Sequence, residues 1–237
     1  MKKKIVITGG SGRFGKYLQK INFKYKLFFP TKKQLNILSE KSIFSYLKKT
    51  NAHILIHLAG LSRPMNIHDT DIEKSINLNI IGTANITKVC SLLNIKLIYF
   101  STNYVYPGTK GNYSELEPIL PVNSYAWSKL GGECSVMLYK NSLILRVCMT
   151  EKPFVHKKAF INVKTSFIYH EEVAKILPKL LKKKGIINIG GKSQFIYDFV
   201  KKDNKNIKKV KLKKFNKIGI PLNSSLNLNK LNKIIKK

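Results

Sequence analysis

Acid is scarce in this chain. Across 237 residues, 44 are Lys or Arg and only 12 are Asp or Glu, giving a formal net charge of +32. Arginine is scarcer still: Arg13, Arg63 and Arg146 are the only three, so the positive charge is almost all lysine. A nucleic-acid partner is one reading of such a charge. Readers of bases and phosphates, however, favour the planar arginine fork, and lysine, asparagine and isoleucine are abundant together here. We therefore expect a solvated lysine-rich surface and no nucleic-acid interface, although the field would attract anionic ligands such as nucleotides.

Other shortages exclude further classes. Cys90, Cys134 and Cys148 are odd in number, widely spaced and without a C-x-x-C pair. Buried free thiols are expected, not disulfides or metal ligands. His53, His57, His68, His156 and His170 show no ligand spacing, so no metal site is expected. No apolar run approaches the roughly 20 residues that span a bilayer. The basic start, Lys2 to Lys4, leads only into Ile5-Val6-Ile7 before a glycine loop. That is too short for a signal peptide, so a cytoplasmic protein without a membrane partner is expected.

What is present begins with phosphate-binding punctuation. Lys4-Ile5-Val6-Ile7-Thr8 reads as a buried strand, followed by Gly9-Gly10-Ser11-Gly12-Arg13-Phe14-Gly15 and a helix to about Ile21. Strand, glycine turn and helix suit a pyrophosphate, because glycines let the backbone approach closely and a helix start offers free N–H groups. Lys26 to Phe29 reads as a second strand with Pro30-Thr31-Lys32-Lys33 behind it. An acid there would suit a free ribose 2′-hydroxyl, whereas cations suit a 2′-phosphate. No acid is present and two lysines are, so NADPH is expected over NADH.

The alternation then continues. Residues 39–50 read as an amphipathic helix, 53–58 as a third strand ending at Ala59-Gly60, and 71–93 as one long helix with Ile76, Ile80, Ala84 and Val89 inward. His57 reads as a packing residue. A fourth strand, 96–100, ends at Ser101-Thr102-Asn103, and a fifth covers 142–147. Helices are expected at 171–184 and 194–202, with a short strand and turn at 185–191. From Lys201 onward there are 13 lysines and one acid, Asp203, which reads as a solvated tail.

Three tyrosine–lysine pairs have the i, i+4 spacing that puts both side chains on one helix face. Tyr106–Lys110 encloses a Pro-Gly turn, and Tyr197–Lys201 lies far downstream. Tyr125–Lys129 alone sits between a strand ending in a hydroxyl residue and the next strand, where open α/β sheets place their chemistry. A nearby ammonium favours the phenolate, which suits proton transfer at a carbinol or ketone oxygen.

Together these stretches resemble the extended short-chain dehydrogenase/reductases, and among them the dTDP-4-dehydrorhamnose reductase group. The likeness is carried by Thr8 to Gly15, Gln34-Leu35-Asn36-Ile37, Asn79-Ile80-Ile81-Gly82-Thr83 and Ser101 to Tyr106. Tyr113-Ser114-Glu115, Tyr125 to Lys129 with Gly132-Glu133, and Pro221 to Leu226 extend it. It implies a Rossmann-type doubly wound parallel sheet over residues 1–150, with a returning segment near 165–200. A small, reduced substrate lobe and basic tail would fall at 151–165 and 201–237. It further implies Tyr125 as general acid, Lys129 on the nicotinamide ribose, and Thr102 on the same substrate oxygen as Tyr125. Gly9, Ser11, Gly12, Arg13 and Phe14 would line the pyrophosphate, and Thr31 with Lys32 the 2′-phosphate. Asn36 and Ile37 would border the adenine, and Leu58, Ala59 and Gly60 the ribose and nicotinamide. Ser62 and Asn103 are expected at the substrate, a nucleotide-sugar, and a homodimer is kept open as the assembly.

The chain also departs from the group. Asn103 stands where the reductases have Asp, and Arg146-Val147-Cys148-Met149 lacks their tryptophan near the sugar. A 4,6-dehydratase is disfavoured, because Asn103-Tyr104 replaces the acid–base pair that chemistry needs. The expected activity is NADPH-dependent reduction of a 4-keto nucleotide-diphospho-sugar. A nucleotide-sugar 4-epimerase and a non-catalytic NADP-binding regulatory subunit are the alternatives.

Overall fold

Short apolar runs build the centre of the molecule. The computed structural model describes residues 2–213 and 219–236. β1 (Lys4–Thr8), α1 (Arg13–Leu18), β2 (Lys26–Phe28), α2 (Glu40–Thr50) and β3 (Ile54–His57) open the chain. Two short helices, α3 (Ile67–Thr70) and α4 (Ile72–Ser75), precede α5 (Gly82–Leu92), β4 (Lys96–Thr102), α6 (Ser124–Met137) and β5 (Ser142–Val147). β3, β4 and β5 are buried along their whole length, as strands covered by helices on both faces must be.

After β5 come four short strands, β6 (Met149–Thr150), β7 (Lys158–Phe160), β8 (Lys164–Thr165) and β9 (Ile168–Tyr169). They are followed by α7 (His170–Leu180), β10 (Gly185–Ile189), β11 (Gln194–Phe195), α8 (Ile196–Val200), β12 (Lys208–Val210) and α9 (Asn229–Ile235). One six-stranded parallel sheet forms in the order β10-β5-β4-β3-β1-β2. Its direction of winding reverses between β1 and β3, the switch point where doubly wound sheets open a crevice. Two-stranded ribbons pair β6 with β9, β7 with β12 and β8 with β11.

The fold departs from the sequence reading in four places. The expected helix over 71–93 is α4, a π-helical turn at Ile76–Ile81, and α5. The wider turn shifts the buried stripe: Ile76 is 41% exposed, while Asn79, Gly82, Thr83 and Ile86 face inward beside the expected Val89. Helix α8 starts only at Ile196, because Gln194 and Phe195 pair with β8. Cys134 is exposed, unlike Cys90 and Cys148. The tail is not all solvated. Ser224, Ser225, Leu226 and Leu231 are buried, and α9 packs on α7 and β10. Lys214, Lys217 and Lys237 of that tail lie outside the described residues.

Residues 221–227 thread between the loop after β4 and the strand β8. Tyr113 donates its N–H to the Ser225 carbonyl, Asn223 to Gly108, and Ser224 to Lys164. The approach is close: a Cβ on Gly108 would sit 2.1 Å from Pro221 Cβ. Side chains add to the hold: Ser225 Oγ accepts from the Asn112 N–H, and Asn223 donates to the Lys110 carbonyl.

One charged contact lies inside the protein. Arg146 on β5 donates Nε and Nη2 to Glu133 Oε1 on α6, at 3.0 and 2.6 Å. The two side chains are only 4% and 2% exposed. Arg146 Nη1 also donates to the Tyr106 hydroxyl at 2.8 Å, which donates in turn to Asn188 Oδ1 on β10 at 2.9 Å. Removing one partner of a buried pair strands the other charge. Glu133→Ala should therefore cost about 3–5 kcal/mol of unfolding free energy, read as a lower urea midpoint at unchanged slope. Glu40→Ala, which breaks the exposed Lys88–Glu40 pair, should cost less than about 1 kcal/mol in the same assay.

Candidate active site

The carboxyl end of β4 carries the expected hydroxyl. Thr102 is buried and begins a single 3₁₀ turn, Asn103–Val105, its Oγ1 accepting from the Tyr104 N–H. The same hydroxyl lies close enough to the phenol of Tyr125 to lower its pKa. Tyr125 is the second residue of α6, which starts there because Asn123 Oδ1 caps the Ala126 N–H at 2.9 Å. Lys129 follows one turn later and is buried, its Nζ 4.2 Å from the centre of the Tyr99 ring.

Two glycines let α6 come close. A Cβ on Gly132 would meet the Asn79 carbonyl at 2.5 Å, and one on Gly131 would meet Ile80 at 2.8 Å. Asn79, within the π-helical turn, donates to Ser128 Oγ and to the Leu61 carbonyl and accepts from the Leu61 N–H. It thereby ties α6 to the loop after β3. His57 packs as expected, sharing hydrogen bonds with Thr8 and Thr83; burial, aided by the Lys129 charge, lowers its pKa to about 3.

The electrostatics differ from the simple lysine–phenol picture. Burial pushes Tyr125 above its ordinary value; the Thr102 hydroxyl and the charges of Arg63 and Arg13 pull it back only in part. Lys129 moves the other way, lowered to about 7 by burial against the opposing pull of Glu133. Burial thus favours the protonated phenol and the neutral amine.

The glycine turn forms a cradle. Gly9 has φ +72°, and a Cβ there would lie 2.6 Å from the Ala59 nitrogen. Gly12 donates its N–H to the Gly9 carbonyl and precedes Arg13, the first residue of α1. Ser11 and Gly12 are exposed and Phe14 is buried against Phe100. Leu58 and Ala59 flank Gly9 directly. With the glycines closed on the backbone of the neighbouring loop, the exposed turn at Ser11-Gly12 and the helix start behind it suit the diphosphate of a dinucleotide.

Other expected residues lie further out. Lys32 is exposed in the turn after β2, where Thr31 and Gln34 hydrogen-bond each other. Asn36 accepts from the Leu38 N–H, and Ile37 is buried against Gly82 of α5. Gly60 and Ser62 are exposed in the loop after β3. Asn103, expected at the substrate, is buried and donates to the Ser224 carbonyl at 3.3 Å, so its amide serves the C-terminal strap. Among the described residues no group of three His, Cys, Asp or Glu is set to hold a metal ion, and no helix is long and apolar enough to cross a membrane.

Three participants escaped the sequence reading. Arg63 and Glu151 meet at 2.9 Å, with Arg13 on the other carboxylate oxygen at 3.0 Å. His68 is buried beside Tyr125, ring centres 5.2 Å apart, with Nδ1 paired to Ser75. The scarcity of arginine was the available signal for Arg63; nothing in the pattern marked the other two.

The lowered pKa of Lys129 has a consequence for stability. In the unfolded chain its ammonium titrates at the ordinary 10.5, and in the folded chain at about 7. Folding therefore opposes a bound proton, a cost in full below pH 7 that fades as pH rises towards 10.5. Lys129→Met should gain about 2–4 kcal/mol at pH 6, and thermal melts at rising pH should show the gain shrinking.

Comparisons with known proteins agree with this architecture. Residues 2–166 match the RmlD substrate binding domain family. The chain is 31% identical over 156 residues to methionine adenosyltransferase 2 subunit beta of Xenopus laevis, covering 61% of this chain and 46% of that protein. It is 26% identical over 152 residues to a dTDP-4-dehydrorhamnose reductase of Aggregatibacter actinomycetemcomitans, covering 62% and 51%. The chain thus spans about half the length of the curated relatives it matches. A crystal structure of dTDP-4-dehydrorhamnose reductase from Bacillus anthracis, in complex with NADP, superposes with a TM-score of 0.87 at 24% identity, covering 98% of this chain and 92% of that one. That likeness fixes the fold, and the family match extends over most of the sequence: this chain belongs to the RmlD substrate binding domain family.

Proposed function

We propose that this protein reduces a 4-keto nucleotide-diphospho-sugar with NADPH. The observation that carries the reading is the Tyr125 phenol beside the buried Thr102 hydroxyl, one helical turn from the buried Lys129. A ketone reduction consumes a proton at the carbonyl oxygen, so the residue beside it must start as an acid. Burial keeps the phenol in that state, which suits reduction better than alcohol oxidation. The dinucleotide, when bound, supplies the hydride.

Each residue then has one task. Tyr125 donates its proton to the sugar oxygen. Thr102 donates a hydrogen bond to the same oxygen and steers it towards the phenol. The tyrosinate left behind is stabilised by the charges of Arg63 and Arg13, and by Lys129 when it carries a proton. Gly9, Ser11, Gly12 and the Arg13 backbone would hold the diphosphate, Leu58, Ala59 and Gly60 the ribose and nicotinamide, and Asn36 with Ile37 the adenine edge. Thr31 and Lys32 would take the 2′-phosphate.

The likeness to a methionine adenosyltransferase subunit favours a second reading, a non-catalytic dinucleotide-binding partner of another enzyme. The intact Thr102–Tyr125–Lys129 set speaks against it, since binding alone does not need a buried acid. Oxidation of NADPH and of NADH should be followed with a series of nucleotide-linked 4-keto sugars. Turnover should fall by about 10²–10⁴-fold in Tyr125→Phe; a wild type inert on every sugar would sink the enzymatic reading. Lys32→Ala should raise the KM for NADPH several-fold and leave that for NADH unchanged, as expected for a cation that meets only the 2′-phosphate.

A further inference from the structure

The carboxylate of Glu151 is the one acidic group in a basic cleft. The cleft, about 400 Å³, is lined by Arg13, Lys16, Tyr17 and Lys20 from the α1 side and by Glu151 and Lys152 opposite. Both oxygens of Glu151 are taken, Oε1 by Arg13 and Oε2 by Arg63. The carboxylate is sunk, 13% exposed, while the guanidinium side chains are 48% and 37% exposed. Each guanidinium has five N–H donors and gives one of them here, so both keep donors for a further anion.

The three residues come from three strand ends. Arg13 opens α1 directly after the glycine cradle, Arg63 lies in the loop after β3, and Glu151 follows β6. The carboxylate therefore bridges the mouth of the crevice at the cradle itself. Burial alone would push its pKa up, but the two guanidiniums hold it below the ordinary value, so it is an anion at neutral pH. Both guanidiniums also act on the Tyr125 phenol, so whatever anion they carry is felt at the proposed acid.

We propose that Glu151 is an internal anion occupying a paired-arginine site, Arg13 with Arg63, and that a phosphoanhydride group of an incoming nucleotide displaces it. A diphosphate carries more charge and more acceptor oxygens than one carboxylate, and it can engage each guanidinium fork through two N–H donors, where Glu151 takes one from each. Glu151 then sets the affinity of the site by competition: it keeps two cations ordered and partly neutralised until a stronger anion arrives. The choice of ligand class rests on the dinucleotide reading of the glycine turn; the competition itself does not.

The test is equilibrium titration of the full chain with NADPH, by its fluorescence, and separately with inorganic pyrophosphate, by calorimetry. Glu151→Gln should bind both probes about three- to tenfold more tightly, the scale of two partly exposed ion pairs. Glu151→Asp, whose shorter side chain reaches both guanidiniums poorly, should shift affinity the same way and serves if the glutamine variant folds badly. Arg63→Met should weaken binding, and combining it with Glu151→Gln should abolish most of the gain. Unchanged or weaker pyrophosphate binding in both Glu151 variants would overturn the proposal, since the carboxylate would then be positioning the arginines or idle. Tighter pyrophosphate binding without any NADPH binding would uphold the competition and discard the dinucleotide reading.

Discussion

The Arg146–Glu133 ion pair is the constraint on which the candidate site hangs. Two charges removed from water cost several kcal/mol each, and only good geometry with further hydrogen bonds offsets that. Here Arg146 gives two donors to one carboxylate oxygen and a third to Tyr106. Glu133 is four residues beyond Lys129 and eight beyond Tyr125, on the same face of α6. Anchoring it to β5 fixes the rotation of the helix. With that rotation set, the phenol meets Thr102 and the lysine lies over Tyr99. The same carboxylate raises the Lys129 pKa against the effect of burial, so one acid both orients the helix and tunes its cation.

Close backbone packing completes what the ion pair begins. The π-helical turn widens the helix at Asn79, directly opposite Gly131 and Gly132. With side chains there, α6 would be held off and the Asn79 amide could not reach both Ser128 and Leu61. The loop that carries Ser62 and Arg63 is thus tied to the helix that carries Tyr125. Asp69 adds a second tie, accepting from the Ser124 hydroxyl.

Local order was what the sequence could express. The strand–glycine turn–helix start and the five strands to Val147 rest on neighbours in the chain and appear in the structure at their expected places; the choice of Tyr125 among three pairs rests on the same local order. Whatever depended on distant residues was not legible. Glu151 meets Arg13 across 138 residues and Arg63 across 88, and no periodicity encodes such a contact. The π-helical turn was hidden for another reason: Ile76 fits an ordinary helix, and the turn that rotates it outward while Ile80 stays against α6 is held by packing at Asn79, not by propensity. The strap at 221–227 was hidden for the first reason, since the partners of its backbone and side chains are distant in the chain.

Scarcity itself turns out to carry information. In a chain that uses lysine for nearly all its positive charge, each of the three arginines engages a carboxylate, Arg13 and Arg63 sharing Glu151 and Arg146 holding Glu133. An ammonium is a strongly hydrated point charge, and at Arg146 it could not replace the planar fork that serves Glu133 and Tyr106 at once. The acids are concentrated in the same way: of twelve, Glu133, Glu151, Asp69 and Glu115 brace the candidate site or the loops around it, Glu115 by accepting the Asn188 N–H of β10. In a molecule carrying +32, a lone carboxylate attracts many cations, and only burial decides which one it keeps. Glu133 and Glu151 are the two whose side chains are sunk furthest among the ion-paired acids. One of them closes on a single arginine inside the core, where no ligand can reach it. The other bridges two at the mouth of the crevice, where exchange with a stronger anion remains open.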